Sequence, residues 1–423
     1  MTLTPALDLF PLLAAVLAAI CCALLGNFLV LRRLSLMSDA MSHSVLPGLV
    51  IAFLITGSRS APAMFAGAAL AGAATVVLVE VIKRLGRVEP GAAMGVVFSV
   101  LFALGVMLIE RAARHTDLDA DCVLHGQLET LVWDGPTSWS ALTLAGTLQA
   151  VPPTIWTLAI TCALSTALVL VLFKELRLAA FDPAFATAQG IRAGAMHYVL
   201  MLFVAGATVA AFEAVGSILV IAMFIMPASI ARVLTDRLAS QIAVSLLAAM
   251  LAAIVGYVGS FAVPTSLGVG EVNAAGSMAT VLGLLLVLAV LAGPRYGVVA
   301  SAMRRRRMAS RIALDDLLGQ LFRYEEGPAA QRPDVPARTL ARARDRGLVE
   351  TDPPRLTPKG RELAAGIVRR HRLWESYLVD RVGLADDHVH EPAEKLEHLV
   401  DTLPKEAPEH DPHGRPIPKD PGE

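Results

Sequence analysis

The stretch that decides the fold is LRRLSLMSDAMSHSVLPGLVIAFL, residues 31–54. It begins with two arginines and ends in an apolar run, and Asp39 and His43 lie between them. A helix would place these two side chains on one face, because they are spaced i,i+4. Carboxylate oxygen and imidazole nitrogen together suit Mn, Zn or Fe(II). The alternative is a simple helix start, in which Ser38 or Asp39 caps the helix and His43 points to the lipid headgroups.

Composition divides the chain into two parts. Apolar residues make up 55% of the 423 residues and the mean hydropathy is +0.60, above the soluble-protein range, so we expect a membrane protein. Residues 1–303 hold 14 basic and 15 acidic residues, whereas the shorter stretch 304–423 holds 22 of each. The sequence therefore predicts a polytopic membrane domain and a charged soluble tail. The net charge of −1 gives no indication of nucleic-acid binding.

Apolar runs of about 20 residues predict eight or nine membrane-spanning helices. The pattern leaves open whether 197–233 is one broken unit or two spans. Loops rich in Lys and Arg are expected in the cytoplasm, which places the tail there and, with nine spans, the N-terminus outside. The acidic stretch 110–152 is interpreted as an external or partly re-entrant loop, and Glu213 and Glu271 as surface residues. The predicted spans are 9–31, 43–57, 61–82, 91–109, 154–173, 197–213, 216–233, 241–263 and 277–299.

Residues 31–54 resemble the signature of metal-type ABC permeases, the membrane subunits of manganese, zinc and iron(II) importers. The resemblance covers roughly residues 8–300 and implies a type II importer-like bundle. It implies that two permease subunits, identical or homologous, form the pathway, that cytosolic ATPases drive it and that an external binding protein delivers the ion. Asp39 and His43 would contact the metal, and a dimer would offer four ligands. Further similar segments are FDPAFATAQGI (181–191), VGSILVIAMFIMPASIARVLTDRL (215–238) and GPRYGVV (293–299).

The segment 181–191 is expected in a cytoplasmic loop. Phe181, Asp182 and Pro183 start a short amphipathic helix that Gly190 ends. The residues alone also fit an ordinary loop helix, whereas the resemblance implies a coupling segment that docks on the ATPase. No GxxxxGK[ST] motif occurs in the sequence, so we expect a transport subunit rather than an enzyme, with ATP hydrolysis in a separate subunit.

The tail carries residues that suit a metal. Residues 360–379 have a helical period, which places His371 and Glu375 one turn apart. Imidazoles and carboxylates without thiolates favour Mn(II), Fe(II) or Zn(II), and the alternative is a solvated helix face. A second helix is predicted near 391–403, and its metal-capable residues are Glu394, Glu397 and His398.

Two segments of the tail, 356–398 and 410–418, resemble the metal-binding and dimerisation half of DtxR/MntR-type metal-dependent repressors. The similar motifs are LTPKGRELAAGIVRRHRLWESYLVDRVGL, VHEPAEKLEH and HDPHGRPIP. Glu394 stands where iron-type members have cysteine and manganese-type members have glutamate, and an oxygen ligand shifts the preference toward Mn(II). The ligand positions implied by the resemblance are His371, Glu375, His390, Glu394, Glu397 and His398.

The DNA-reading half departs from that family. The interval from EEG (325–327) to TLARARDRGLVE (339–350) is about ten residues shorter than in the family, and it holds three prolines, which break helices. We therefore expect a degenerate winged helix, with RLTPKG (355–360) as its wing edge, rather than an intact DNA-reading unit. Asp315 matches a further ligand position, whereas Leu318 occupies the next one.

These observations predict an all-α polytopic membrane protein with a small, mostly helical cytosolic domain. The expected parts are a permease domain (1–303), a linker with a winged-helix remnant (304–355) and a metal-binding and dimerisation domain (356–423). The expected function is import of a divalent metal across the cell membrane, with Mn²⁺ favoured over Zn²⁺ or Fe²⁺, a metal-sensing tail and no organic cofactor. The rival interpretations are a membrane-tethered transcription regulator that binds DNA and an inert tail that only holds subunits together.

Overall fold

A computed structural model describes residues 5–34, 36–57, 61–112, 126, 128, 131, 151–268, 272–327, 336–351, 353–399 and 408–419. The chain divides into two compact units, Met1–Ala300 and Ser301–Glu423. The described helices that begin in the first unit are α1 (Pro5–Leu31), α2 (Leu36–Thr56), α3 (Ala61–Gly86), α4 (Pro90–Ala112), α5 (Pro153–Val171), α6 (Phe173–Phe181), α7 (Pro183–Ala188), α8 (Ala193–Leu234), α9 (Leu238–Leu267), α10 (Ala274–Ala292) and α11 (Val298–Glu326).

Eight of the described helices are long and apolar enough to cross a membrane, in agreement with the predicted eight or nine. One of them, α8, has 42 residues. A straight helix of that length would measure about 63 Å, twice the hydrocarbon thickness of about 30 Å. It is not straight, because the backbone of Gly216 has φ 75° and ψ 168°. This conformation lies outside the helical region, and glycine adopts it more readily than other residues.

The two halves of α8 are antiparallel. Nη1 of Arg32 lies 3.2 Å from Nδ1 of His197 in the first half, and a Cβ on Gly26 would collide with the backbone of Phe224 in the second half. Arg32 and Gly26 stand only about 9 Å apart along α1, whereas His197 and Phe224 would stand about 40 Å apart in a straight helix. The chain therefore doubles back at Gly216, and the stretch left open in the sequence forms two segments.

A buried polar network joins α1 to α9. Nδ2 of Asn27 donates to Oγ of Ser245 at 2.6 Å, and Nε2 of Gln241 donates to Oδ1 of Asn27 at 3.1 Å. All three side chains are buried. Hydrocarbon offers these amides no partner, so the network satisfies them inside the bundle and sets the register of the two helices.

The second unit is mostly helical and contains one two-stranded hairpin. α11 extends into it, and α12 (Ala337–Asp345), the antiparallel hairpin β1 (Val349–Thr351) and β2 (Pro354–Leu356), and α13 (Pro358–Asp380) follow. A short 3₁₀ turn (Asp386–His388) leads to α14 (His390–Leu399). Both predicted tail helices are present. Of the predicted wing edge 355–360, only Arg355 and Leu356 lie in the hairpin, because Thr357 caps α13 and the last three residues begin that helix. The core that joins them consists of Leu314, Leu317, Leu318, Leu321, Ala343, Leu348, Val349, Leu356, Ala364 and Ile367.

Candidate metal centres

The first candidate centre lies on α2. This helix begins at Leu36, seven residues before the predicted span, so Asp39 lies inside its first turn and His43 one turn later. Oδ1 of Asp39 lies 3.4 Å from Nε2 of His43. The interpretation in which Ser38 or Asp39 caps the helix is wrong, because both lie within it. The spacing of the pair therefore produces a shared helix face, as predicted.

The pair stands at the surface of this single chain. The side chains of His43 and Asp39 are 27% and 37% exposed. The His43 ring packs against two aromatic rings of α4, with centroids 5.2 Å from Phe98 and 5.7 Å from Phe102. Among the residues that the structure describes, no third histidine, cysteine or acid joins the pair. Since a transition-metal dication takes four or more ligands, the pair is half a site.

The second candidate centre brings together His371, Glu375 and His390. Nε2 of His371, Oε1 of Glu375 and Nδ1 of His390 form a triangle with sides of 3.0, 3.0 and 2.9 Å. The i,i+4 spacing on α13 supplies two corners, and the turn into α14 supplies the third. The His371 and Glu375 side chains are 3% and 4% exposed, whereas His390 is 59% exposed. The centre is therefore buried on one side and open to solvent on the other.

Electrostatics keeps the Glu375 carboxylate of this centre ionised. Burial alone would raise the pKa of Glu375, but hydrogen bonds and charge from His371 and His390 outweigh it and hold that pKa well below its usual range. Both imidazole nitrogens face the same carboxylate oxygen. When these nitrogens carry no proton, three electron-pair donors converge on one point, and a metal cation can take the place of the protons.

The spacing of the three donors fits a metal ion. Adjacent ligands of an octahedral ion with bonds of about 2.1 Å stand about 3.0 Å apart, whereas tetrahedral zinc would separate them by about 3.3 Å. The sides of 2.9–3.0 Å are also those of hydrogen bonds, so they place three donors within reach of one ion and do not distinguish its coordination geometry. Two imidazoles and one carboxylate form the donor set that suits six-coordinate transition metals with open positions. A resident ion here would draw its remaining ligands from solvent at the exposed His390 side.

The other predicted tail ligands do not complete a second cluster among the described side chains. Asp315 lies on α11, with Oδ2 at 3.8 Å from Nε of Arg311. Glu394 is exposed on α14. Glu397 and His398 lie on the same helix, and their side chains are outside the described residues. The triangle is the one group of three metal-capable residues found in the described part of the chain.

Sequence reasoning missed Arg372, the neighbour of His371. Its side chain is 3% exposed, and its Nη2 lies 2.5 Å from Oε2 of Glu326 at the end of α11. It also donates to the Pro416 carbonyl at 2.6 Å and lies 3.5 Å from Asp411. Arg372 thus joins α11, α13 and the segment 408–419. No periodicity marks one arginine in RRHR as buried, so this role has no signal in the sequence.

The predicted coupling segment forms the short helix α7. Oδ1 of Asp182 accepts a hydrogen bond from the Phe185 amide at 2.9 Å, which caps the helix, and Gly190 ends the turn with φ 82°. Phe181 and Phe185 are 56% and 50% exposed on either side of the cap. The cap residue Asp182 therefore lies between two aromatic side chains that are half exposed.

Within the described part of the chain, the remaining acidic residues form no further group of three metal-capable side chains. Oγ1 of Thr154 donates to Oε1 of Glu213 at 3.3 Å. Glu271 and nearly all of 110–152, including the predicted external loop, lie outside the described residues.

Comparisons with known proteins agree with this organisation. Residues 9–135 and 143–293 match the ABC 3 transport family. Residues 357–419 match the metal binding and dimerisation domain of iron dependent repressors. The tail match contains the whole triangle of ligands.

Similar curated and solved proteins cover the membrane unit. The manganese transport system membrane protein MntD of Bacillus subtilis is 39% identical over 293 residues, 69% of this chain and 94% of that protein. The zinc transport system membrane protein TroD of Treponema pallidum is 38% identical over 296 residues, 70% of this chain and 77% of that protein. A structure of PsaBC from Streptococcus pneumoniae in complex with Fab has a TM-score of 0.55 and 27% identity, covering 68% of this chain and 92% of that one.

Proposed function

Because this chain belongs to the ABC 3 transport family, we propose that it is the membrane permease subunit of an ABC importer for a divalent transition metal. Mn²⁺ is the favoured substrate, with Zn²⁺ and Fe²⁺ as alternatives. The observation that carries this proposal is the Asp39–His43 pair, with its donor atoms 3.4 Å apart on a helix that has no other ionisable residue. Ionisable side chains are retained in such helices where ions pass.

The half site on α2 points to a second permease subunit. Two pairs facing one another across a dimer axis would offer two carboxylates and two imidazoles, a complete set for a passing dication. The partial exposure of both side chains in one chain supports this arrangement, because a partner would cover them. The charge of the ion would offset the cost of holding Asp39 in a membrane.

We place α7 and the tail in the cytoplasm. Arg295 follows α10, and its Nη1 lies 2.5 Å from Oδ2 of Asp236 in the loop after α8, so these basic loops share one end of the bundle. Lys and Arg loops face the cytoplasm. The exposed Phe181 and Phe185 beside Asp182 would dock on a cytosolic ATPase subunit, and an extracytoplasmic binding protein would deliver the ion at the opposite end.

The tail would sense the imported metal. His371, Glu375 and His390 would hold a resident ion, whose positive charge would neutralise the convergent donors. The exposed His390 gives the cytosolic metal pool access to the two buried ligands. Arg372, next to His371, contacts Glu326 on α11, which runs back without interruption to Val298. Such feedback requires that the metal favour one of two tail arrangements, and we propose that the metal-bound one slows transport.

Vesicles that carry the complete transporter test both the import of the metal and the feedback by the tail. Uptake of Mn²⁺, Zn²⁺ and Fe²⁺ in competition would rank the substrates. Internal Mn²⁺ buffered at rising concentrations should slow uptake by the native transporter, while His371→Ala vesicles keep their initial rate. Equal slowing of uptake in both kinds of vesicle would contradict the feedback proposal and would not affect the proposal that the protein is an importer.

The rival DNA-binding function has a separate test. The hairpin β1–β2 is present, but the interval before α12 is short and the tail carries 22 basic and 22 acidic residues. Metal-loaded full chain in neutral nanodiscs should retain no promoter-region DNA above the level of a scrambled duplex. Sequence-selective retention would favour the tethered regulator.

A further inference from the structure

A cleft of about 1100 Å³ lies within the second unit, between α11, the turn after α12 and α13. Six cations line it, against two acids, Asp315 and Glu362. Its positive charge is therefore local, because the tail as a whole is balanced. The cations are Arg307, Arg311, Arg346, Lys359, Arg369 and Arg370.

The floor of this basic cleft is apolar. Leu314, Leu318, Leu348 and Ile367 form it with at most 5% of each residue exposed, and Leu363, 49% exposed, supplies most of the apolar surface that a ligand could contact. An exposed leucine beside cations is unfavourable in water alone. A ligand with an anionic head and an apolar body would satisfy both parts of the surface.

Two arginines on α13 have buried atoms suited to such a ligand. The Nε atoms of Arg369 and Arg370 are buried and have no hydrogen-bond partner among the described residues. Arg369 also donates through Nη1 to the Pro418 carbonyl at 2.6 Å, so its side chain is held in place. Guanidinium groups bind phosphate oxygens through directed hydrogen bonds.

We propose that this basic cleft binds the phosphate headgroup of an acidic phospholipid. The chain supplies the reason for choosing a lipid over a soluble phosphate: α11 begins six residues after α10, the last apolar helix. Arg307 and Arg311 thus follow closely on a membrane span, the position at which basic clusters bind acidic leaflets. Leucines in the floor also favour a lipid over DNA, whose phosphates need no apolar contact. The proposal is independent of metal import and concerns the tail alone.

The test uses the full chain in nanodiscs of phosphatidylcholine, with or without phosphatidylglycerol, and measures amide hydrogen exchange in 310–318 and 359–370. Phosphatidylglycerol should slow exchange several-fold in the native chain, and high salt should reverse the effect. The double variant Arg307→Gln with Lys359→Gln, two exposed positions, should lose the protection. The matched control, Arg338→Gln with Arg344→Gln, removes the same charge from exposed positions of α12 and should keep it.

Three results would overturn the proposal. The two lipid compositions could give equal exchange, or the cleft double variant could keep full protection. Alternatively, inorganic phosphate added to phosphatidylcholine nanodiscs could reproduce the protection, which would identify a soluble anion as the ligand. Exchange across the hairpin 349–356 reports folding, and it should be unchanged in both double variants.

Discussion

Nε2 of His371 lies 2.9 Å from Nδ1 of His390, and both nitrogens lie 3.0 Å from the same oxygen of Glu375. Three donors this close repel one another unless a proton or a cation lies between them. The residues come from two helices, so the contact also holds α14 against α13. Metal binding and the packing of these helices are therefore coupled.

Replacement of His371 by alanine should weaken Mn²⁺ binding by the tail at least about 100-fold, or about 2.7 kcal/mol, because one of the two buried donors among the three is lost. Calorimetry on the full chain, in an Asp39→Ala background that removes the α2 pair, measures the tail alone. His388→Ala is the matched control. His388 is exposed, 3.9 Å from Asp387, outside the cluster, and its loss should leave affinity unchanged. Equal losses in both variants would contradict the assignment.

Arg372→Ala should destabilise the packing of the C-terminal segment by about 3 kcal/mol, since the buried Asp411 carboxylate loses its cationic partner and keeps only its backbone hydrogen bonds. Hydrogen exchange in 408–419 of the full chain should rise to near-unprotected rates. Arg361, 60% exposed and paired with Glu325, provides the comparison. Its replacement by alanine should cost no more than about 1 kcal/mol. Retained protection in Arg372→Ala would show that the contact does not hold the segment.

Gly26→Ala should destabilise the membrane unit by about 1–3 kcal/mol, because the added methyl collides with the Phe224 backbone. Gly206, on the first half of α8, has open space around the equivalent position, and Gly206→Ala should be tolerated. Thermal unfolding in detergent, followed by size-exclusion chromatography, compares the two. A Gly26→Ala variant with the thermal stability of the native chain would contradict the reversal of α8 beside α1.

Sequence reasoning recovered elements that have a clear period or cap. The helical repeat predicted α13 and α14, and Asp182 with Gly190 predicted α7. The start of α2 was placed too late, because the polar residues SDAMSH resemble a loop rather than the first turns of a membrane helix. The break in α8 was anticipated, because the apolar pattern already separated 197–213 from 216–233 and left open one broken unit or two spans, and the structure places the break at Gly216.

The candidate sites also combine contacts that local spacing predicts with contacts that only the fold creates. The i,i+4 spacing predicted the contact of Asp39 with His43 and that of His371 with Glu375. His390 joined the second pair through the family resemblance, because its contact depends on the turn between two helices. Phe98, Phe102 and Arg372 lie far in sequence from the residues they contact, and only the tertiary packing reveals them.

Uptake of Mn²⁺ by vesicles with the complete transporter, ATP inside and loaded binding protein outside, tests the central claim most directly. Asp39→Ala and His43→Ala should each reduce uptake to the level of vesicles without the permease, while the subunits still copurify with the ATPase. Glu213→Gln, a change of another acid on a membrane helix, should retain uptake. Native uptake by Asp39→Ala or His43→Ala, with the same complex assembled, would contradict the account.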